Sequence, residues 1–127
     1  KPWLGWGAAA FSIIYPLRTG LFHGHSHNLP LELAISHGIL VSFLINIFVF
    51  SLLIISGFSR IFNKLNSKEN IILDRAWWTS TVILICFHAT DIPLFDSRIN
   101  ILGWILLIGL RCMIYNSKNY NILLNNV

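Results

Sequence analysis

The sequence predicts an all-α integral membrane protein with three transmembrane helices. Three observations predict it. Hydrophobic residues make up 55% of the 127 residues and charged ones only 11%, with a mean hydropathy of +0.68, which is wrong for a soluble domain of this size. Three apolar runs approach or exceed the ~30 Å hydrocarbon thickness at ~1.5 Å per residue. Lys and Arg gather between the first and second runs, the bias that orients membrane proteins.

Taken in order, residues 1–32 read as the end of an extracytoplasmic loop. Within it, residues 3–15 are apolar but too short and glycine-broken to span, with Trp3, Trp6 and Tyr15 as interfacial anchors and Pro16 as the stop. Starting at Lys1 in glycine-rich loop sequence, without a charged n-region and a short apolar stretch, the chain reads as the C-terminal part of a longer polytopic bundle. The first span is residues 33–58, interrupted only by Ser36, His37, Ser42, Asn46, Ser51 and Ser56. Residues 59–75 form a cytoplasmic loop holding Arg60, Lys64, Lys68 and Arg75. The second span, residues 76–92, opens with Trp77 and Trp78 at an interface and stops at Pro93. Residues 93–98 are a short extracytoplasmic loop. The third span is residues 99–115, flanked by Arg111 and Lys118, and residues 116–127 are an Asn-rich cytoplasmic tail. The second and third spans sit near the ~17-residue lower limit.

The net charge of +4 is spread out rather than gathered in a run that tracks phosphates, so no nucleic-acid partner is expected. Cys86 and Cys112 fall in apolar runs as small hydrophobes, and no CxxC pair is present. His37 and Asn46 read as residues for helix–helix hydrogen bonds.

The stretch of residues 24–41, GHSHNLPLELAISHGILV, sets a histidine-rich polar segment against the mouth of the first span. It reads His27-Asn28, nine residues, then Gly38. That block, with GWGAAAFSIIYP ahead of it, resembles the signature of the O-antigen ligase and O-antigen polymerase superfamily of bacterial envelope glycosyltransferases; Val41 stands where that family usually has Gly, Thr or Tyr.

The resemblance implies transfer of a glycan from an undecaprenyl-diphosphate donor to a lipid A core or glycan acceptor, on the periplasmic face of the inner membrane and without a metal or other cofactor. By motif position it puts the catalytic histidine at His27, with Asn28 as its polar neighbour and Glu32 as the acid of the Leu-Glu pair. Arginines bind the diphosphate in that family, and Arg18 lies in the corresponding loop. The chemistry suits these residue types. Arg offers fixed, bidentate donors to a leaving diphosphate, and a histidine, titrating near neutral pH, takes an acceptor proton or bonds a phosphate oxygen.

With three spans, the segment holding HGHSHN and the loop DIPLFDSR face the same side. Arg98 is then a second cation for the diphosphate, and Asp91 or Asp96 is expected to orient Arg98 or His27 through a hydrogen bond. His25 joins Asn28, Glu32, Asp91 and Asp96 as a candidate substrate contact. The bland readings are a capped hairpin, made by an Asp91–His88 or Asp96–Arg98 pair, and a histidine loop that bonds only water and headgroups. The competing function is a histidine-loop zinc transporter, since His23, His25 and His27 alternate. Zinc, however, takes about four ligands, and the spans offer no His or acidic ladder beyond His37 and His88.

Overall fold

The computed structural model describes the backbone of residues 1–61, 68–92 and 95–125, and the side chains of 1–59, 71–92 and 95–117. It is helical, with no strand among the described residues. The elements are α1 (Ala10–Thr19), α2 (Leu29–His37), α3 (Ile39–Ser56), a π turn (Gly57–Ile61), α4 (Lys68–Thr90) and α5 (Ser97–Asn125). Three stretches are long and apolar enough to cross a membrane: Ile39–Ser59, Ile71–Thr90 and Ser97–Ser117. Their outward side chains, such as Phe43, Phe48, Ile83 and Trp104, are exposed apolar surface of the kind that a bilayer covers. Pro93 and Lys64, and the side chains of Arg60, Lys68 and Lys118, lie outside the described residues.

The chain divides into two compact units. The first comprises Lys1–Phe48 and Ile85–Asn100. Here the expected first span is broken at Gly38, whose φ of 91° and ψ of 160° end α2. The break exists because the N-terminal segment packs against it. The Ile39 amide donates to the Pro2 carbonyl at 2.8 Å, while the amides of Trp6 and Gly7 donate to the carbonyls of Ile35 and Ser36 at 2.8 and 3.0 Å. The last turn of α2, which has no helical partners of its own, is capped by the GWG segment. His37 therefore ends α2 rather than lying a turn inside a span.

Pro16 does not stop the apolar segment either. It sits inside α1, which ends at Gly20 in the left-handed conformation, the Gly20 amide bonding the Pro16 carbonyl. Within a short helix a proline costs one i→i−4 bond, and only the chain beyond Thr19 has the glycine that a C-cap uses.

The second unit comprises Val49–Leu84 and Ile101–Val127. Its core is Leu52, Leu53, Leu106, Leu110, Met113 and Ile114, with Ser56, Thr81 and Ser117 buried among them. The hydroxyls find helix carbonyls: Thr81 bonds Trp77, Ser56 bonds Leu53, and Ser117 bonds Ser59. The indoles of Trp77 and Trp78, expected at an interface, donate to the carbonyls of Leu106 and Leu53 at 3.0 Å each. Gly109 leaves room for Trp77, since a Cβ there would collide with the indole.

Both later helices are longer than hydropathy implied. Residues 68–75 set Ile71, Ile72 and Leu73 between polar residues that are good helix formers, so α4 begins at Lys68 instead of Ala76, and the spans in α4 and α5 run to 20 and 21 residues. The expected Asn-rich tail is helical to Asn125. Asn46 bonds the Ser42 carbonyl of its own helix rather than a neighbour. Cys86 and Cys112 are free and exposed.

Candidate functional site

The site lies in the first unit, at the start of α2. Asn28 is the N-cap of α2: its side-chain carbonyl accepts the Leu31 amide at 2.9 Å, and Pro30 occupies the first turn, where a missing N–H costs nothing. Its amide group donates to the Ala89 carbonyl at the end of α4 at 3.0 Å. Asn28 thus joins two helix ends, and its polar atoms serve the scaffold. Glu32 does so too. It is buried, and its Oε2 accepts the Ser26 amide at 3.1 Å, which fixes the histidine loop on the first turn of α2.

His27 precedes the cap in the left-handed region, φ 52°, a conformation uncommon outside glycine and enriched at functional positions. The result is that its ring faces the α4–α5 connection. His27 Nδ1 lies 3.3 Å from Asp91 Oδ1, and His25 Nδ1 lies 3.9 Å from the same oxygen. The rings of His25 and His27 are 4.2 Å apart, and Phe95 stands 5.9 Å from His25. The two polar patches expected to share a side of the membrane are therefore in contact.

Asp91 follows the last residue of α4, its amide still bonding the Phe87 carbonyl at 2.9 Å, while His88 is buried in the helix. The Ile92 amide, 2.8 Å from Asp91 Oδ1, is the main influence holding this carboxyl below its ordinary value. Partial desolvation acts the other way, and the His27 bond and the charges of His25 and His27 lower it further. A lowered carboxyl contributes stability that is present above its unfolded value and is lost as pH falls through the folded one, so Asp91 stays an ionised acceptor beside His27 until the pH falls into the acid range.

The remaining candidates divide. Asp96 caps α5, accepting the Arg98 amide at 2.8 Å, and it makes no ion pair with Arg98 among the described residues. Arg98 is exposed in the first turn of α5. Arg18 is exposed in the last turn of α1, on the rim of a groove of about 500 Å³ lined by Lys1, Trp6, Phe11, Tyr15, Leu31 and Ile35. One turn before Arg18, Tyr15 stacks on His23 at 5.2 Å, so this groove adjoins the histidine loop. A second cavity of about 180 Å³ opens among Ala9, Glu32, Ser36, His37, Ile92 and Phe95.

Sequence reasoning did not single out Ser26, whose hydroxyl bonds the Asn28 carbonyl at 3.0 Å, or the GWG amides that cap α2. Neither pattern has a local signature. No family model, curated protein or solved structure matches this chain.

Proposed function

We propose that this chain carries the reacting end of an inverting, metal-independent membrane glycosyltransferase of the O-antigen ligase or polymerase kind. It takes glycan from an undecaprenyl-diphosphate donor at the outer face of the bacterial inner membrane and passes it to a lipid A core or a second glycan. The observation that carries the reading is the His27–Asp91 contact at 3.3 Å, which gives the histidine at the motif position a carboxylate to orient it.

With Nδ1–H donating to Asp91, the lone pair sits on Nε2 of a ring whose side chain is 58% exposed. The acceptor hydroxyl loses its proton to Nε2 as its oxygen bonds the anomeric carbon. The bond from that carbon to the diphosphate oxygen breaks, and the diphosphate leaves with the electron pair. Asp91 balances the imidazolium formed. The groove beside the loop supports the same reading, since it pairs apolar walls for an isoprenoid chain with the cations Arg18 and Lys1 for a diphosphate.

Orientation is testable directly. With Cys86 and Cys112 replaced by Ala, a cysteine at Ser97 reacts with a membrane-impermeant thiol reagent from outside, and one at Ser67 reacts only after the membrane is opened. Reversed labelling puts the histidine loop on the wrong side for an extracytoplasmic donor.

Arg98 separates a diphosphate clamp from a plain surface charge. If its guanidinium meets the diphosphate, Arg98→Lys keeps the charge and loses the bidentate fork, lowering transfer, and Arg98→Ala lowers it further, by roughly tenfold or more for a charge-assisted bond of about 1.5–3 kcal/mol. Wild-type transfer by Arg98→Ala at equal protein level removes Arg98 from the site.

A further inference from the structure

His25, His27 and Asp91 each present one ligand atom within 4.8 Å of the other two. The two nitrogen–oxygen edges measure 3.3 and 3.9 Å. A tetrahedral zinc ion with bonds of ~2.0–2.1 Å sets its ligand atoms about 3.3 Å apart, so one edge is already at that spacing and the other exceeds it by a fraction of an ångström. A shared proton serves only one imidazole–carboxylate edge at a time, and two imidazolium rings at this separation repel. A single dication satisfies all three lone pairs.

We infer that His25, His27 and Asp91 form a binding site for one zinc-class transition-metal dication. Two imidazoles and a carboxylate suit zinc, cobalt, nickel or copper, whereas magnesium and calcium prefer all-oxygen shells. The side chains are 31%, 58% and 61% exposed, which leaves the fourth position open to water. The Ile92 amide donates to the liganding oxygen itself, Asp91 Oδ1, at 2.8 Å, and so holds the carboxylate in place. Among the described residues His25 Nδ1 otherwise accepts a long bond from the His27 amide, 3.4 Å, which a metal replaces. His23 offers no ligand atom to the cluster: its Nδ1 is 2.8 Å from the Phe22 carbonyl, and its ring stacks on Tyr15 and meets His27 only edge to face at 6.3 Å.

The consequence for transfer rests on the proposed function. A metal on His27 Nδ1 moves the ring proton from Nδ1 to Nε2, which leaves Nε2 no lone pair to accept with, and it occupies the carboxylate that balances the imidazolium, so metal binding and proton acceptance by His27 exclude one another. Zinc is then an inhibitor of a metal-independent reaction.

The test uses the protein purified with a histidine-free affinity tag and titrated with Co²⁺ alone, reading the visible absorption of a four-coordinate cobalt site, with Zn²⁺ displacing it. One equivalent is expected. Loss of a ligand in His25→Ala or Asp91→Asn weakens binding by at least about 10–100-fold, Asp91→Glu retains binding better than Asp91→Asn, and His23→Ala matches the parent. Far-UV circular dichroism establishes that each variant keeps its helices.

Absence of a cobalt site in the parent, parent-like binding by Asp91→Asn, or equal loss in His23→Ala and His25→Ala overturns the site. In membranes, zinc lowers transfer at least tenfold in the parent but leaves His25→Ala near its own zinc-free rate. Zinc binding without inhibition overturns the shared use of His27. Cobalt binding in a protein with no transfer activity upholds the metal site and fails the transferase reading alone.

Discussion

Replacing His27 with alanine is expected to lower glycan transfer by about 10²–10⁴-fold, the contribution of a positioned general base, with the protein inserted at its normal level. The imidazole is the one titratable group at the motif position that also has a carboxylate at 3.3 Å, and alanine removes both the acceptor for the proton and the charge that Asp91 stabilises. His25→Ala should cost only a few-fold, because its ring lies against His27 but its nitrogen is 3.9 Å from Asp91. Asp91→Asn belongs between them, since an amide still accepts the Nδ1–H bond but carries no charge to balance an imidazolium. The measurement is transfer from a polyprenyl-diphosphate-linked glycan in membranes matched for protein. Equal activities of His27→Ala and His25→Ala would sink the base assignment. A chelator should leave the rate unchanged or raise it, and activity that falls with chelator and returns with zinc contradicts the metal-free reaction.

Gly38→Val is expected to be the most damaging substitution outside the site. The backbone there, φ 91° and ψ 160°, is a region essentially confined to glycine, with a strain of about 1–3 kcal/mol for another residue. A Cβ would also run into the Trp3 carbonyl, and moving that carbonyl away breaks the neighbouring bond from the Ile39 amide to Pro2, adding about 0.5–1.5 kcal/mol for the lost hydrogen bond. The sum is several kcal/mol against a typical total of 5–15. Gly20→Ala is the comparison: its φ is 73°, but a Cβ there meets nothing within 4 Å, so only the left-handed cost of about 1–2 kcal/mol applies. Thermal unfolding in detergent should rank Gly38→Val well below Gly20→Ala. Equal midpoints would show that the N-terminal segment does not clamp the α2–α3 break.

The sequence by itself determined the class of the molecule and the number of its long apolar helices, because hydropathy and length are sums over neighbouring residues and need no partner. It also raised two expectations, His27 from the resemblance of the block around it and a common side for the two polar loops from the count of spans.

Only the tertiary structure decided the break at Gly38, which in an apolar run reads as continuous helix until the carbonyls of Pro2 and Trp3 arrive beside it. Likewise Asn28, Glu32 and Asp96 looked equivalent to Asp91 as polar groups near a membrane mouth. Packing gave the first two to the scaffold and the third to a helix cap, leaving Asp91 to face His27 across 64 positions of chain. Such pairings depend on where two distant backbones end, and local pattern carries no record of that distance.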